Sequence, residues 1–174
     1  MKDAINKFKN LVSGPKPNRP SSIASVLNVH PYRAPELTGL QNWINSEALT
    51  LEGLRGQVVL VDIWTFGCIN CVRTLPYVEQ WYQKFKDQGF VVIGVHSPEF
   101  DAEKVLENVQ RAVTFRKLTY PIAQDNDMKN WRAYQNNYWP AQYLIDKQGM
   151  VRRVHFGEGE YAESEEAIAA LLAE

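Results

Sequence analysis

Residues 58–76 read VVLVDIWTFGCINCVRTLP, and this stretch determines how the rest of the chain is interpreted. Residues 58–64 form an almost continuous apolar run, which is typical of a strand that is buried on both faces of a sheet. Apolar residues then recur at helical spacing, so a helix is predicted over residues 68–88. Cys68 and Cys71 therefore stand where a core strand leads into a helix.

Strand and helix signals continue to alternate outward from this stretch. Further strands are predicted at residues 90–95, 141–146 and 151–156, and the last two are joined by a turn at residues 147–149. Further helices are predicted at residues 101–116, with Asp101 as the cap, around residues 127–134, and at residues 162–173. This order predicts an α/β fold in three layers, with a mixed central β-sheet flanked by helices.

The composition is that of one globular domain. The chain has 174 residues, of which 45% are hydrophobic, and its net charge is −1. These values exclude a disordered chain and give no whole-molecule attraction to nucleic acid. No run approaches the ~20 apolar residues of a membrane span, and the first 11 residues do not resemble a signal peptide. We therefore expect no nucleic-acid partner, no direct membrane span and no export signal.

The first 34 residues are expected to stand apart from the domain at residues 35–174. Residues 1–12 have the spacing of a short amphipathic helix, and residues 13–22 contain three prolines, the composition of a linker. The arm is either a mobile tail or a tether or dimer contact.

The two cysteines indicate redox chemistry. A structural zinc site needs four ligands, which two cysteines and three scattered histidines do not supply, so we expect no metal and no cofactor. A helix amino terminus stabilises a thiolate, which makes Cys68 the candidate nucleophile. Cys71, one turn deeper, would resolve a mixed disulfide by attacking Cys68. The alternative is a pair of buried structural thiols.

The stretch resembles the active-site segment of the thioredoxin superfamily. The likeness includes Asp62, Trp64, the CxxC pair and Pro76, together with NYWPA at residues 137–141, which is similar to the cis-proline loop of the family. Residues 51–61, 94–99, 138–146 and 156–159 are more specifically similar to TlpA/ResA-like oxidoreductases and to the carboxy-terminal domain of DipZ proteins. The resemblance extends over roughly residues 37–172 and implies a thioredoxin-like three-layer sandwich.

The resemblance also assigns roles to three further residues. Asp62 interrupts an apolar strand, and a buried carboxyl has a raised pKa that suits a proton acceptor for Cys71; the alternative is a structural aspartate. Pro140 would be the cis-proline that lies against the sulfurs and binds an extended substrate segment. Glu99 corresponds to a second acid near the cysteines, unless it is a helix cap or a solvated side chain.

Four aromatic residues are candidates for substrate binding because they flank the CxxC pair or the proline loop. They are Trp64, Phe66, Tyr138 and Trp139. The alternative for each of them is a place in the core, where aromatic side chains are more commonly found.

The leading interpretation is a thiol–disulfide oxidoreductase that acts on protein disulfides or dithiols. The resemblance implies a membrane-embedded or thioredoxin-like electron donor and an extracytoplasmic setting, with a cytoplasmic one as the alternative. Ile69 and Asn70 separate the cysteines, and they leave the direction of the redox reaction open. Two other functions stay open: a thiol peroxidase, since Thr65 and Cys68 give the Thr-x-x-Cys spacing of peroxiredoxins, and a redox-inert protein-binding module.

Overall fold

The computed structural model describes residues 23–174, and residues 1–22, which include the predicted amphipathic segment and linker, lie outside it. The helices are α1 (Ile23–Val26), α2 (Ile69–Phe85), α3 (Leu106–Phe115), α4 (Lys129–Ala133) and α5 (Tyr161–Ala173). The strands are β1 (Tyr32–Arg33), β2 (Gln41–Ile44), β3 (Val58–Trp64), β4 (Phe90–His96), β5 (Ile122–Gln124), β6 (Ala141–Ile145) and β7 (Met150–Phe156).

The seven strands form one mixed sheet in the order β1-β7-β6-β3-β4-β5-β2. β3 is central, parallel to β4 and antiparallel to β6, and all seven of its residues are buried. The central position of β3 explains the almost continuous apolar run, because both faces of this strand must be covered. The predicted mixed sheet is confirmed, and the carboxyl end of β3 delivers the chain directly to the two cysteines.

Helices cover one face of the sheet, and a helix with irregular segments covers the other. α2, α3 and α5 pack on the face that includes Leu60 and Trp64. The opposite face, which includes Val61 and Ile63, is covered by residues 34–54 and by the end of α4. β3 to β4 and β4 to β5 are both parallel connections in the same direction across the sheet, so their right-handed crossovers place α2 and α3 on the same side.

α2 begins where its sequence predicts but ends at Phe85, three residues before the predicted end. Cys68 is its N-cap residue, and its inward-facing side chains, among them Leu75, Val78 and Trp81, are buried. Pro76 lies inside the helix. A short 3₁₀ turn follows α2, and Gly89 terminates it at a φ of 87°, a conformation that glycine adopts without steric cost.

The predicted helix at residues 101–116 is wrong at its start. Residues Asp101–Lys104 form a separate 3₁₀ turn, and α3 begins only after Val105, its N-cap residue. Asp101 therefore does not cap α3; its exposed carboxylate pairs with Lys104 at 2.8 Å. The turn forms because the side chain of Glu103 folds back to accept the backbone N–H groups of residues 99 and 100.

Part of the predicted arm packs onto the domain. Val26 is only 1% exposed and belongs to the core beside α5. Tyr32 and Arg33 add β1 to the edge of the sheet by pairing with β7. The packed structure thus includes residues that precede position 35.

Candidate active site at the start of α2

The two thiols differ sharply in accessibility. Cys68 is partly exposed at the N-cap of α2, whereas Cys71 is fully buried one turn further on. The sulfur of Cys68 accepts the backbone N–H of Cys71 at 3.3 Å, and the thiols are not bridged. An N-cap sulfur satisfies an N–H group that has no partner within the helix, and it lies at the positive end of the helix dipole. Cys68 is therefore the thiol that an external disulfide can reach.

Cys71 holds its proton tightly. Burial raises the pKa of the Cys71 thiol, and its hydrogen bond with Cys68 and the negative charge of Asp62 raise it further. At neutral pH this thiol stays protonated, so it can attack a disulfide only when a nearby base removes its proton.

Asp62 is a buried carboxyl on β3. It is 1% exposed and lies opposite Gln142 on β6, whose Nε2 donates to Oδ1 at 3.4 Å. Oδ2 has no hydrogen-bond partner within residues 23–174. Burial raises the pKa of Asp62 to about 7, and the hydrogen bond from Gln142 opposes that rise. A carboxyl with this pKa can exchange a proton at neutral pH.

The loop before β6 lies against the accessible sulfur. The Trp139–Pro140 peptide bond is cis, which confirms the cis-proline loop implied by the resemblance. The carbonyl oxygen of Trp139 lies 3.8 Å from Sγ of Cys68. The indole N–H of Trp139 donates to the carbonyl of Ser97 at 3.0 Å, and its ring packs on Trp131. These contacts fix the loop beside Cys68.

Three of the four predicted aromatic residues reach the surface of the site. Tyr138 is 58% exposed and packs against Phe156, while Phe66 and Trp139 are half-buried. Trp64 does not reach it: the side chain is fully buried beneath the site and packs edge-on against His96. The prediction that Trp64 contacts substrate is therefore wrong. Trp64 is the last residue of β3, and its side chain packs in the core beneath α2.

His96 holds the loop that enters α2. Its Nε2 lies 3.3 Å from the backbone N of Phe66 and 3.3 Å from Oγ1 of Thr65. Burial lowers the pKa of His96 to about 4, so the ring is neutral at pH 7 and Nε2 can accept the N–H of Phe66.

The acid that contacts the cysteine loop is not the one singled out in the sequence. Glu99 is exposed, whereas Glu103 is 2% exposed and accepts the backbone N–H of Gly67 at 3.1 Å. No sequence signal distinguishes Glu103 from a solvated acid, because its burial depends on the 3₁₀ turn.

Two kinds of feature are absent from the described part of the chain. Residues 23–174 contain no group of three or more histidine, cysteine, aspartate or glutamate side chains that could hold a metal ion. Within the same residues, no helix combines the length and the apolar character that crossing a membrane requires.

A CxxC pair capping a helix, a cis-proline loop beside it and a mixed sheet in this order define a thioredoxin-like dithiol protein. The chain belongs to the AhpC/TSA family, which it matches over residues 32–154.

Several known proteins share most of the domain, and some of them carry thiol–disulfide names. The chain is 48% identical over 142 residues, 80% of its length, to protein DipZ of Mycobacterium tuberculosis, of which the match spans 20%. It is 32% identical to the thiol-disulfide oxidoreductase YkuV of Bacillus subtilis, over 80% of this chain and 94% of that protein. A solved thiol-disulfide isomerase from Corynebacterium glutamicum superposes with a TM-score of 0.71 at 27% identity, covering 81% of this chain and 97% of that one.

Proposed function

We propose that the chain is a thiol–disulfide oxidoreductase that exchanges disulfides with protein substrates through Cys68 and Cys71. One observation carries the proposal: an accessible N-cap thiol lies 3.8 Å from the cis-proline loop, with a buried thiol behind it that interacts with a buried carboxyl of raised pKa. The names of the relatives support the same chemistry.

In the reducing direction, the first step forms a mixed disulfide. The thiolate of Cys68 attacks one sulfur of the substrate disulfide, the Cys68–substrate S–S bond forms, and the substrate S–S bond breaks. The departing substrate sulfur leaves as a thiolate and takes a proton from water. The N-cap position supports this step because the helix N–H groups favour the negative sulfur.

The second step releases the substrate. Asp62 accepts the proton of Cys71, and the resulting thiolate attacks Sγ of Cys68. The Cys68–Cys71 disulfide forms, the mixed disulfide breaks, and the second substrate thiolate departs. The dithiol has then lost two electrons and the substrate disulfide has gained them; the oxidising direction is the reverse.

Substrate would lie along the proline loop. An extended segment can pair with the backbone around Trp139 and Pro140, as an added strand does, and present its sulfur to Cys68. Tyr138 and Phe156 are 58% and 47% exposed and pack on each other, which offers an apolar surface beside that path.

Single-cysteine variants test the proposal on a disulfide-bonded protein such as insulin. Cys68→Ser should abolish reduction, whereas Cys71→Ser should accumulate a mixed disulfide between Cys68 and the substrate that mass spectrometry detects. Full activity in Cys68→Ser would overturn the assignment. If both cysteines can be changed to serine while substrate binding persists and the wild type shows no exchange, the protein is a redox-inert binding module.

The family match gives a thiol peroxidase specific support as the second candidate, together with the Thr65-x-x-Cys68 spacing. The hydroxyl of Thr65 is buried against His96, however, which leaves it turned away from solvent. Rapid consumption of hydrogen peroxide that survives Cys71→Ser would favour the peroxidase. Consumption no faster than that of free cysteine would exclude it.

A dithiol donor must return electrons after each reducing cycle. We assign this role to a membrane-embedded or thioredoxin-like partner, in an extracytoplasmic compartment, on the strength of the likeness to DipZ and ResA proteins. Fractionation of cells that express the full-length natural protein tests the location. The redox potential of the Cys68–Cys71 couple tests the direction, since about −270 mV is typical of reductants and about −120 mV of oxidants.

A further inference from the structure

Glu103 is a buried carboxylate that the exchange reaction above does not use. It is 2% exposed and accepts three backbone N–H groups, those of Gly67 at 3.1 Å, Glu99 at 2.6 Å and Phe100 at 3.0 Å. None of the ion pairs found within residues 23–174 includes it. Its desolvation is thus offset by backbone donors rather than by a cation.

The two oxygens of Glu103 face two different segments. Oε2 accepts from Glu99 and Phe100, which follow β4, and Oε1 accepts from Gly67, the residue before Cys68. A carboxylate serves both segments because both of its oxygens accept. An amide would serve only one of them, since its NH₂ group would meet an N–H donor.

The loop before the nucleophile is therefore held at two successive N–H groups. His96 lies at the N–H of Phe66 and Glu103 accepts that of Gly67. The next residue, Cys68, caps α2 with its sulfur and directs it toward the carbonyl of Trp139.

We infer that Glu103 is a positioning residue, which fixes Gly67 so that the sulfur of Cys68 is held in its attacking position. The inference rests on the proposed function, for which Cys68 is the nucleophile. Its role is exerted through the backbone of Gly67, and its carboxylate needs no contact with substrate.

Gly67 is the complementary half of this contact. A Cβ at position 67 would collide with Oε1 of Glu103, while its φ lies outside the left-handed region that favours glycine. The backbone therefore tolerates an alanine there, and only the carboxylate of Glu103 opposes it. Shortening Glu103 to aspartate would withdraw that oxygen and make room for the methyl group.

The first experiment measures the reactivity of Cys68 in a Cys71→Ser background, by alkylation with iodoacetamide and by exchange with an aromatic disulfide. Glu103→Asp keeps the charge and can still reach the N–H groups of residues 99 and 100, but it cannot reach Gly67. We expect both rates to fall about 5- to 10-fold, as is typical when one charged hydrogen bond that orients a reacting group is lost. Glu103→Gln is the second variant and should also slow both reactions.

The matched control is Asp146→Asn. Asp146 is another buried carboxylate that accepts backbone N–H groups, from Gln148 and Met150, and it also pairs with Arg152 at 3.0 Å. It follows β6 at the end of the sheet opposite the cysteines. This variant should lose stability in urea and keep both Cys68 rates within about 2-fold of the parent. If Glu103→Asp behaves like Asp146→Asn, with lower stability and unchanged rates, the positioning role is refuted.

A double-mutant cycle supplies the second readout. Gly67→Ala and Glu103→Asp should each lower the alkylation and exchange rates of Cys68. The combined variant should react no more slowly than the slower of the two single variants, because both substitutions break the same contact. Independent losses that multiply would overturn the pairing. Failure of the proposed function is a separate result, since it would appear as absent insulin reduction by the wild type, whatever the Glu103 variants do.

Discussion

Asp62 and Gln142 lie directly opposite each other on β3 and β6, and the amide Nε2 of Gln142 is 3.4 Å from Oδ1 of Asp62. The carboxyl is thereby buried in the centre of the sheet with one neutral donor and no cation, because none of the ion pairs within residues 23–174 includes it. Such an arrangement favours the protonated acid, which costs stability at neutral pH. It also gives the carboxyl the raised pKa that the proposed proton transfer from Cys71 requires.

Asp62→Asn should stabilise the protein at pH 8 while slowing release of the mixed disulfide. With a folded pKa of about 7, the contribution of Asp62 to stability is greatest below about pH 4 and is lost as the pH rises through 7. Asp62→Asn should remove this loss in the free energy of unfolding, which at about 1.4 kcal/mol per pKa unit is roughly 4 kcal/mol. Urea unfolding at pH 8 and pH 4 measures it: the advantage of the variant should vanish at pH 4, and an equal advantage at both values would contradict the shift.

Gln142→Leu should move the pH dependence of mixed-disulfide release upward. Gln142 lowers the pKa of Asp62, so its removal should raise the midpoint from near 7 by roughly 0.5–1 unit, the equivalent of one hydrogen bond. Stopped-flow rates should fall at pH 7 and recover at pH 9. Equal slowing at both pH values would indicate disturbed packing instead.

His96 should make the fold sensitive to acid. Its pKa of about 4 lies below the ordinary value of about 6.5, so the unfolded chain binds the proton first and stability is lost as the pH falls from about 6.5 to about 4. The free energy of unfolding should fall by roughly 3 kcal/mol over this range, and His96→Gln should abolish this fall. Urea midpoints at pH 7, 5.5 and 4.5 compare the two slopes; parallel slopes would contradict the prediction.

Tyr138→Ala should weaken the binding of protein substrates and leave the reaction with small disulfides unchanged. The exposed Tyr138–Phe156 pair adds aromatic contact area beside the proline loop, so we expect KM for insulin to rise about 2- to 10-fold and the rate with a small aromatic disulfide to stay unchanged. Phe115→Ser is the control, since Phe115 is 82% exposed and lies at the end of α3. A similar rise in KM in both variants would show that general surface hydrophobicity, rather than this pair, binds the substrate.

The parts of the fold that sequence predicts are those with a strong local pattern. β3 and α2 combine an apolar run with helical periodicity, and the cysteines fall at their junction. The shortest strands, β1, β2 and β5, have only two to four residues, too few for a period, and they form because the rest of the sheet offers them an edge.

The parts of the site that the sequence misses depend on tertiary contacts. Glu103 lies in a polar stretch and becomes buried only because the chain turns beneath Gly67, whereas the neighbouring Glu99 remains exposed. Trp64 flanks the CxxC motif in sequence, but alternation along β3 directs it beneath α2. Distance along the chain thus indicated proximity to Cys68 without indicating which side chains face solvent.

The placement of β3 also has a consequence for hydrogen exchange. Its backbone is paired on one edge by β4 and on the other by β6, and none of its side chains reaches solvent. Amides in such a strand exchange with deuterium only when the whole domain opens. The amides of β3 should therefore exchange at the same slow rate in the dithiol and disulfide forms only if both forms are equally stable. A difference between the two rates reports which redox state of the protein is the more stable.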